Sequence, residues 1–148
     1  MRVVDTNILV YAHREEMPFH DRAQAVLKSL SESAHPWAVP WPNFHEFLAV
    51  VTNPRIFNIP TSMQKAWTFL DSLGESPSLR LLSETPEHWA TLRTMLKQSR
   101  MVGARVHDAR IAALCLEHGA EVLLTAYRDF SRFAGLKVEN PLLDVRPS

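Results

Sequence analysis

Cysteine and glycine are both scarce in this chain of 148 residues. The single cysteine, Cys115, has no partner for an intramolecular disulfide and cannot build a cysteine-based zinc site. The four glycines form no glycine-rich phosphate loop, and no nucleophile elbow of the G-x-S-x-G type occurs. Proteins without disulfides are typical of reducing compartments, so we expect a cytoplasmic protein.

Net charge and long apolar runs are lacking as well. The 16 basic and 16 acidic residues give a formal net charge of zero. This balance argues against binding nucleic acid by bulk charge but leaves room for a local basic patch. No apolar run approaches the roughly 18 residues of a membrane-spanning helix. The short apolar run at the N-terminus contains Asp5, unlike a signal peptide, so we expect no membrane segment.

Short β-branched runs alternate with amphipathic stretches along the chain. The expected strands cover residues 2–5, 37–39, 79–82, 121–125 and 136–140. The expected helices cover residues 18–34, 43–52, 62–73, 86–98 and 106–118. Residues 7–12 either extend the first strand or form a helix. This alternation predicts one α/β domain over residues 1–148, with a central, mainly parallel sheet flanked by helices.

Four acidic residues lie at the ends of expected strands or in apolar helices: Asp5, Glu46, Asp108 and Asp129. Each has a purely structural reading. Asp5 is a good helix N-cap, and Asp129 suits a turn. Glu46 can point to a solvated stripe of its helix, and Asp108 is favoured by the dipole at a helix start.

Taken together, the same four residues suggest a cluster. Ligands bind beyond the carboxyl ends of parallel strands, which is where Asp5 and residues 125–130 fall. Carboxylates gathered in one cleft repel one another unless a cation is present. Hard oxygen ligands of this kind favour Mg²⁺ or Mn²⁺.

Four segments of the chain resemble those of PIN-domain ribonucleases of the VapC type, the toxin half of bacterial and archaeal toxin–antitoxin pairs. They are VVDTNILVYA at the N-terminus, WPNFHEFLAVVTNPRIF at 41–57, VHDARIAALCLEHGAEVLLT at 106–125 and RDFSRFAGLKVENP at 128–141. Their order and spacing match along the whole chain. The resemblance implies a three-layer PIN-like α/β domain with an acidic cleft over a parallel sheet.

The resemblance also assigns roles to particular residues. The catalytic acids it implies are Asp5, Glu46, Asp108 and Asp129, with the metal held by Asp5 and Asp108. Thr6, Asn7 and Thr125 would support the metal shell. The last block departs from the usual T-x-D-x-D-F pattern, because Tyr127 stands where the first of its two aspartates is expected and Asp129 matches only the second.

The function implied by the resemblance is that of a Mg²⁺- or Mn²⁺-dependent endoribonuclease, the toxin of a type II pair. Its expected partners are RNA, a VapB-like antitoxin and a second copy of the chain. Several basic residues in or beside the matched blocks are candidates for RNA binding: Arg55, Arg105, His107, Arg110 and Arg128. Taken singly, each of these residues is more simply explained as an ordinary solvated charge.

Two other functions remain open from the sequence. Tyr127 also suits a degenerate PIN domain that binds RNA or a partner protein without cleaving RNA. A phosphatase of the haloacid-dehalogenase type also starts with an aspartate at a strand end. That class requires D-x-D-x-T or D-x-D-x-V, whereas this chain has DTNIL and lacks the second aspartate.

Overall fold

A five-stranded parallel sheet forms the centre of the computed structural model, which describes residues 1–143. The strands are β1 (Arg2–Val4), β2 (Trp37–Pro40), β3 (Leu79–Leu82), β4 (Val122–Leu124) and β5 (Val138–Glu139). Their order across the sheet is β3-β2-β1-β4-β5, and every neighbouring pair is parallel. The α/β fold with a parallel sheet predicted from the sequence is confirmed, except that the last residues of the predicted domain, 144–148, lie outside the described part.

The helices follow the strands closely along the chain. They are α1 (Thr6–His13), α2 (His20–Glu32), α3 (Trp41–Val51), α4 (Met63–Gly74), α5 (His88–Ser99) and α6 (Val106–Glu117), with short 3₁₀ turns at Gly103–Arg105 and Arg128–Arg132. Residues 7–12, left open by the sequence, are helical. The first strand ends one residue earlier than predicted because Asp5 caps α1. Within residues 1–143, no helix has both the length and the apolar character needed to cross a membrane.

Alternating residues of the strands face two separate apolar layers. Val4, Val39 and Leu124 pack against residues of α1, α2, α3 and α4. Their neighbours Val3, Ala38 and Leu123 pack on the other side against α5 and α6. Successive side chains of a strand point to opposite faces, so strands buried on both faces must be apolar throughout. This arrangement confirms the three-layer domain.

A buried carboxylate fixes α6 against the connection between β3 and α5. Glu117 accepts hydrogen bonds from the backbone N–H and the hydroxyl of Thr85, at 3.1 and 2.8 Å. Its other carboxylate oxygen lies 2.7 Å from Nδ1 of His88. One turn from the start of the same helix, Arg110 pairs with Glu84 at 3.1 Å. These contacts hold α6 at both ends, and the start of α6 carries Asp108.

Candidate active site

A cavity of about 610 Å³ opens beyond the carboxyl ends of β1 and β4. The chain leaves β1 for β2 on one side, whereas β4 pairs with β1 on the other, so the cavity lies at the point where the strand order reverses. Its acidic lining residues are Asp5, Glu46 and Asp108, from the start of α1, the middle of α3 and the start of α6. The structure therefore brings these three sequence-predicted acids to one cavity.

Asp5 is both the N-cap of α1 and the most buried acid of the cavity. Its Oδ1 accepts hydrogen bonds from the backbone N–H of Thr6 at 2.8 Å and from the side-chain amide of Asn43 at 2.7 Å. Its Oδ2 accepts from the Thr125 hydroxyl at 2.7 Å and from the Asn7 amide at 3.3 Å. The structural and functional readings of Asp5 thus coexist, because the cap fixes the carboxylate at the strand end.

The side chains predicted to support Asp5 form one connected network. The Thr125 hydroxyl, which donates to Asp5, accepts from the Asn7 amide and from the backbone N–H of Tyr127, each at 3.0 Å. The Asn7 side-chain oxygen accepts from the backbone N–H of Ala126 at 3.1 Å. These bonds join the start of α1 to the end of β4, so the carboxylate of Asp5 is held rigidly at the base of the cavity.

Asn43 belongs to this network and was missed by the sequence reasoning. Its amide donates to Asp5, yet its Oδ1 is the one buried side-chain nitrogen or oxygen without a hydrogen-bond partner among the described residues. A buried acceptor without a partner is costly, and such atoms are usually completed by a water or an ion. A polar residue three positions before Glu46, in the first turn of a largely apolar helix, was the available signal.

All three acids of the cavity have raised pKa values, because of burial and, for Asp5 and Glu46, because of neighbouring acids of the cavity. Burial raises the pKa of Asp5, and the nearby charge of Asp108 raises it further. Partial burial raises the pKa of Glu46, and repulsion from Asp5 and Asp108 adds to the rise. Partial burial likewise raises the pKa of Asp108. A crowd of carboxylates that disfavours its own ionised form is a site that a cation would stabilise.

Asp129, the fourth predicted acid, lies beside this cavity. The structure places it outside the cavity lining, in the 3₁₀ turn after β4. Its Oδ2 is 3.2 Å from Nη2 of Arg105, which does line the cavity. Tyr127 stands at the rim, with 42% of its surface exposed and its ring edge-on to Phe130.

The structure divides the predicted RNA-binding residues into two groups. Arg105, His107 and Arg110 line the cavity. Arg55 and Arg128 are exposed but lie outside its lining. His45, which sequence reasoning did not select, lines the cavity one position before Glu46.

Most of the cavity wall is apolar, which the sequence did not indicate. The apolar lining residues include Val10, Tyr11, Met17, Val50 and Ile111. They lie on α1, on α3, on α6 and in the segment that joins α1 to α2. A wall of this kind next to a charged floor accommodates a ligand with both an apolar group and a charged group.

The donor set fits a hydrated divalent ion better than a closed cage. Within residues 1–143, no three His, Cys, Asp or Glu side chains are gathered closely enough to enclose a metal. Mg²⁺ usually keeps several waters and binds through one or two carboxylates plus substrate phosphates. Asp5 and Asp108, with Glu46 on the same cavity, would offer such a set.

Comparison with known proteins agrees with this architecture. A family model described as PIN domain matches residues 2–136. Ribonuclease VapC43 of Mycobacterium tuberculosis is 37% identical over 142 residues, which cover 96% of each chain. The structure is similar to VapBC2 of Rickettsia felis, solved with a promoter DNA fragment, at a TM-score of 0.67 and 22% identity, covering 94% of this chain and 97% of that one.

A second structural match is VapC20 of Mycobacterium tuberculosis, described as a toxin that cleaves the sarcin–ricin loop. Its TM-score is 0.66 at 15% identity, covering 92% of this chain and 96% of that one. At such identities the two structures support the fold alone, whereas the sequence matches extend over nearly the full length of the chain. The chain therefore belongs to the PIN-domain family, among the VapC ribonucleases.

Proposed function

We propose that this protein is a divalent-metal-dependent endoribonuclease that hydrolyses RNA phosphodiester bonds, as the toxin of a VapBC-like pair. The observation that carries the proposal is the convergence of Asp5, Glu46 and Asp108 on one cavity. There the charge of Asp108 raises the pKa of Asp5, and the charges of both aspartates raise the pKa of Glu46. Such a cluster is unfavourable in isolation, and the binding of Mg²⁺ or Mn²⁺ would relieve the repulsion.

The residues have distinct parts in this proposal. Asp5 and Asp108 would hold the ion, and Glu46 would add a third acid to the same cavity. Thr6, Asn7 and Thr125 fix the carboxylate of Asp5 through the hydrogen bonds described above. When bound, the ion would lower the pKa of a water and neutralise charge developing on the phosphodiester.

The proposed partners follow from the relatives. A structural match is a VapBC complex, which supports an antitoxin partner for this chain. A cationic side chain of the antitoxin would suit a cavity lined by three carboxylates. Formation of a homodimer and a cytoplasmic location belong to the same proposal.

The proposal predicts that Mn²⁺ binding and RNA cleavage occur together. Calorimetry should detect Mn²⁺ binding to the wild-type protein, because the ion relieves the repulsion among the three acids. A random-sequence single-stranded RNA pool should be cleaved in Mn²⁺ or Mg²⁺ but remain intact in EDTA. Absence of Mn²⁺ binding would contradict the proposal.

Mn²⁺ binding without cleavage would favour the second candidate function, a domain that binds RNA or a partner protein without cutting. The observation in its favour is that Tyr127, at one side of the cavity, stands where an aspartate is expected. There the neighbouring acid Asp129 is already paired with Arg105. An assay that includes cellular RNA as well as the random pool separates a lack of activity from a narrow substrate choice.

Replacing Thr125 with Val should shift the acid limb of the pH profile of kcat/KM to higher pH. Burial raises the pKa of Asp5, and the hydrogen bond from Thr125 is the largest contribution that lowers it. Without that bond the pKa of Asp5 rises further, so the ionised form that binds metal appears only at higher pH.

The control for this prediction is the restoration of the hydroxyl. Thr125→Ser should return the acid limb toward the wild-type position. Thr68→Val removes a hydroxyl that bonds only within α4, to the Gln64 carbonyl, and should leave the profile unchanged. An unshifted acid limb in Thr125→Val would mean that Asp5 does not set it.

A further inference from the structure

Arg105 lies at the edge of the acidic cavity as part of a small cluster that the sequence did not connect. Its Nη2 is 3.2 Å from Oδ2 of Asp129, although the two residues are 24 positions apart. Arg105 lines the cavity and is exposed, with 45% of its side chain accessible. It comes just before α6, and its charge lowers the pKa of Asp108, the acid in the first turn of that helix.

Asp129 has two neighbours at this edge of the cavity. It forms the ion pair with Arg105, and its carboxylate raises the pKa of nearby Tyr127. A carboxylate paired with a guanidinium is oriented toward it and is poorly placed to bind a metal as well. The cluster therefore presents a cation to the cavity at the side where the sequence has Tyr127 in place of an acid.

The guanidinium of Arg105 keeps donors for a ligand. Apart from the pair with Asp129, its Nη1 lies 3.8 Å from the sulfur of Met101, which is a weak acceptor. Arginine has five N–H donors in a planar fork that matches a phosphate. An exposed ion pair adds little to stability, so folding alone gives no strong reason for a charged residue at this place.

We propose that Arg105, positioned by its ion pair with Asp129, binds a phosphate group of the RNA at the mouth of the cavity, and that Asp129 serves this purpose in place of binding metal. The inference rests on the proposed function, in that RNA is taken as the ligand of this cavity. Arg105 would then supply a positive charge at the edge of the cavity, beside the acids that would hold a divalent ion. Because an arginine binds through charge-assisted, often bidentate hydrogen bonds, it would also set the register of the strand.

The first test measures RNA binding without metal. In EDTA and low salt, the fluorescence anisotropy of a labelled single-stranded RNA should show about tenfold weaker binding to Arg105→Ala than to wild type, the loss expected for one charge-assisted phosphate contact. The plot of log affinity against log salt should become less steep by about 0.7, the value for one phosphate contact to a single strand.

Two further variants make this test specific to the site. Arg105→Lys keeps the positive charge but loses the planar set of N–H donors. It should therefore have the salt slope of wild type but only part of its RNA affinity. Arg93→Ala removes one exposed positive charge on α5, away from the cavity lining, and should change neither quantity. Equal losses in Arg105→Ala and Arg93→Ala would reduce the effect to net charge and would overturn the proposal.

The second test asks whether Asp129 binds metal. Arg105→Ala/Asp129→Asn removes one positive and one negative charge together, so the net charge is unchanged. Its Mn²⁺ affinity, measured by calorimetry, should stay within about twofold of wild type if Asp129 only positions Arg105. A loss of more than about tenfold would show that Asp129 is a metal ligand and would overturn its positioning role.

The outcomes separate this inference from the proposed function. If wild type cleaves RNA in Mn²⁺ but Arg105→Ala binds RNA with wild-type affinity and salt slope, the inference fails and the nuclease stands. If wild type never cleaves but RNA binding depends on Arg105 as described, the phosphate site stands and the nuclease assignment fails.

Discussion

Replacing Asp5 with Asn should reduce RNA cleavage by about a thousandfold or more, the largest effect expected of any single substitution in the cavity. Asp5 is the acid at the centre of the hydrogen-bond network, with four donors converging on its two oxygens. Asn keeps the size of the side chain but loses the negative charge that would hold the ion. Cleavage assays in Mn²⁺ and calorimetry on the same sample check the result.

The same substitution should lower stability slightly while leaving the fold intact. The Nδ2 of an Asn would face N–H and O–H donors that now point at a carboxylate oxygen, and unsatisfied buried donors are costly. Removal of a buried charge that is repelled by Asp108 offsets part of this cost. We expect a net loss of about 1 kcal/mol, which lowers Tm by roughly 2–4 °C in a domain of this size.

A matched control distinguishes the loss of a cavity residue from the loss of one negative charge elsewhere on the protein. Asp21 is an exposed acid in the first turn of α2, outside the cavity, and Asp21→Asn should retain full cleavage and Mn²⁺ binding. Wild-type cleavage by Asp5→Asn would remove Asp5 from the proposed metal site. An unfolded Asp5→Asn, seen by circular dichroism, would instead show that the network is required for folding.

The architecture could be predicted because it depends on local patterns. Short β-branched runs and amphipathic stretches alternate along the chain, and each became a strand or a helix in the three layers. Asp5 could be selected as a candidate site residue because it is an acid directly after an apolar strand, where it serves as a helix cap or as a functional group. Asp5 caps α1 and also lies at the carboxyl end of β1, because the helix begins directly after the strand. The same residue therefore serves as the cap and as an acid of the cavity.

What could not be predicted depends on residues that are distant in sequence. Asn43 reaches Asp5 only because β1 and β2 are neighbours and α3 starts directly after β2. The pair of Arg105 and Asp129 joins the start of α6 to the turn after β4, and no local pattern relates the two. Arg55 was chosen because it lies in a matched segment, but the structure does not bring it to the cavity lining.

Replacing Asp108 with Asn should lower RNA cleavage but raise stability, whereas replacing Asp5 should lower both. Cleavage should fall by about a hundredfold or more, because Asp108 is the second proposed ligand of the ion. Mn²⁺ binding should weaken in parallel. Unlike Asp5, Asp108 receives no side-chain or backbone hydrogen bond among those found in the described residues, so Asn leaves no donor unsatisfied.

The stability of Asp108→Asn should exceed that of wild type at neutral pH in the absence of metal. Partial burial raises the pKa of Asp108 above its unfolded value of 3.8, with a further rise from Asp129. A carboxyl with a raised pKa in the folded state costs stability once pH rises through that pKa, and the substitution removes the cost. Solvent screening and the favourable helix dipole keep the gain to a few degrees in Tm.

The dependence on pH and metal identifies the cause of this gain. Thermal melts should show the advantage of Asp108→Asn at pH 7, and the advantage should vanish as pH falls below 3.8, where the wild-type carboxyl is protonated in both the folded and the unfolded state. Saturating Mn²⁺ should reverse the order, because the ion stabilises the folded wild type that binds it and stabilises the variant less. A variant less stable than wild type at neutral pH without metal would mean that Asp108 is held by favourable contacts, and the acidic cavity would then not be a strained site that a cation relieves.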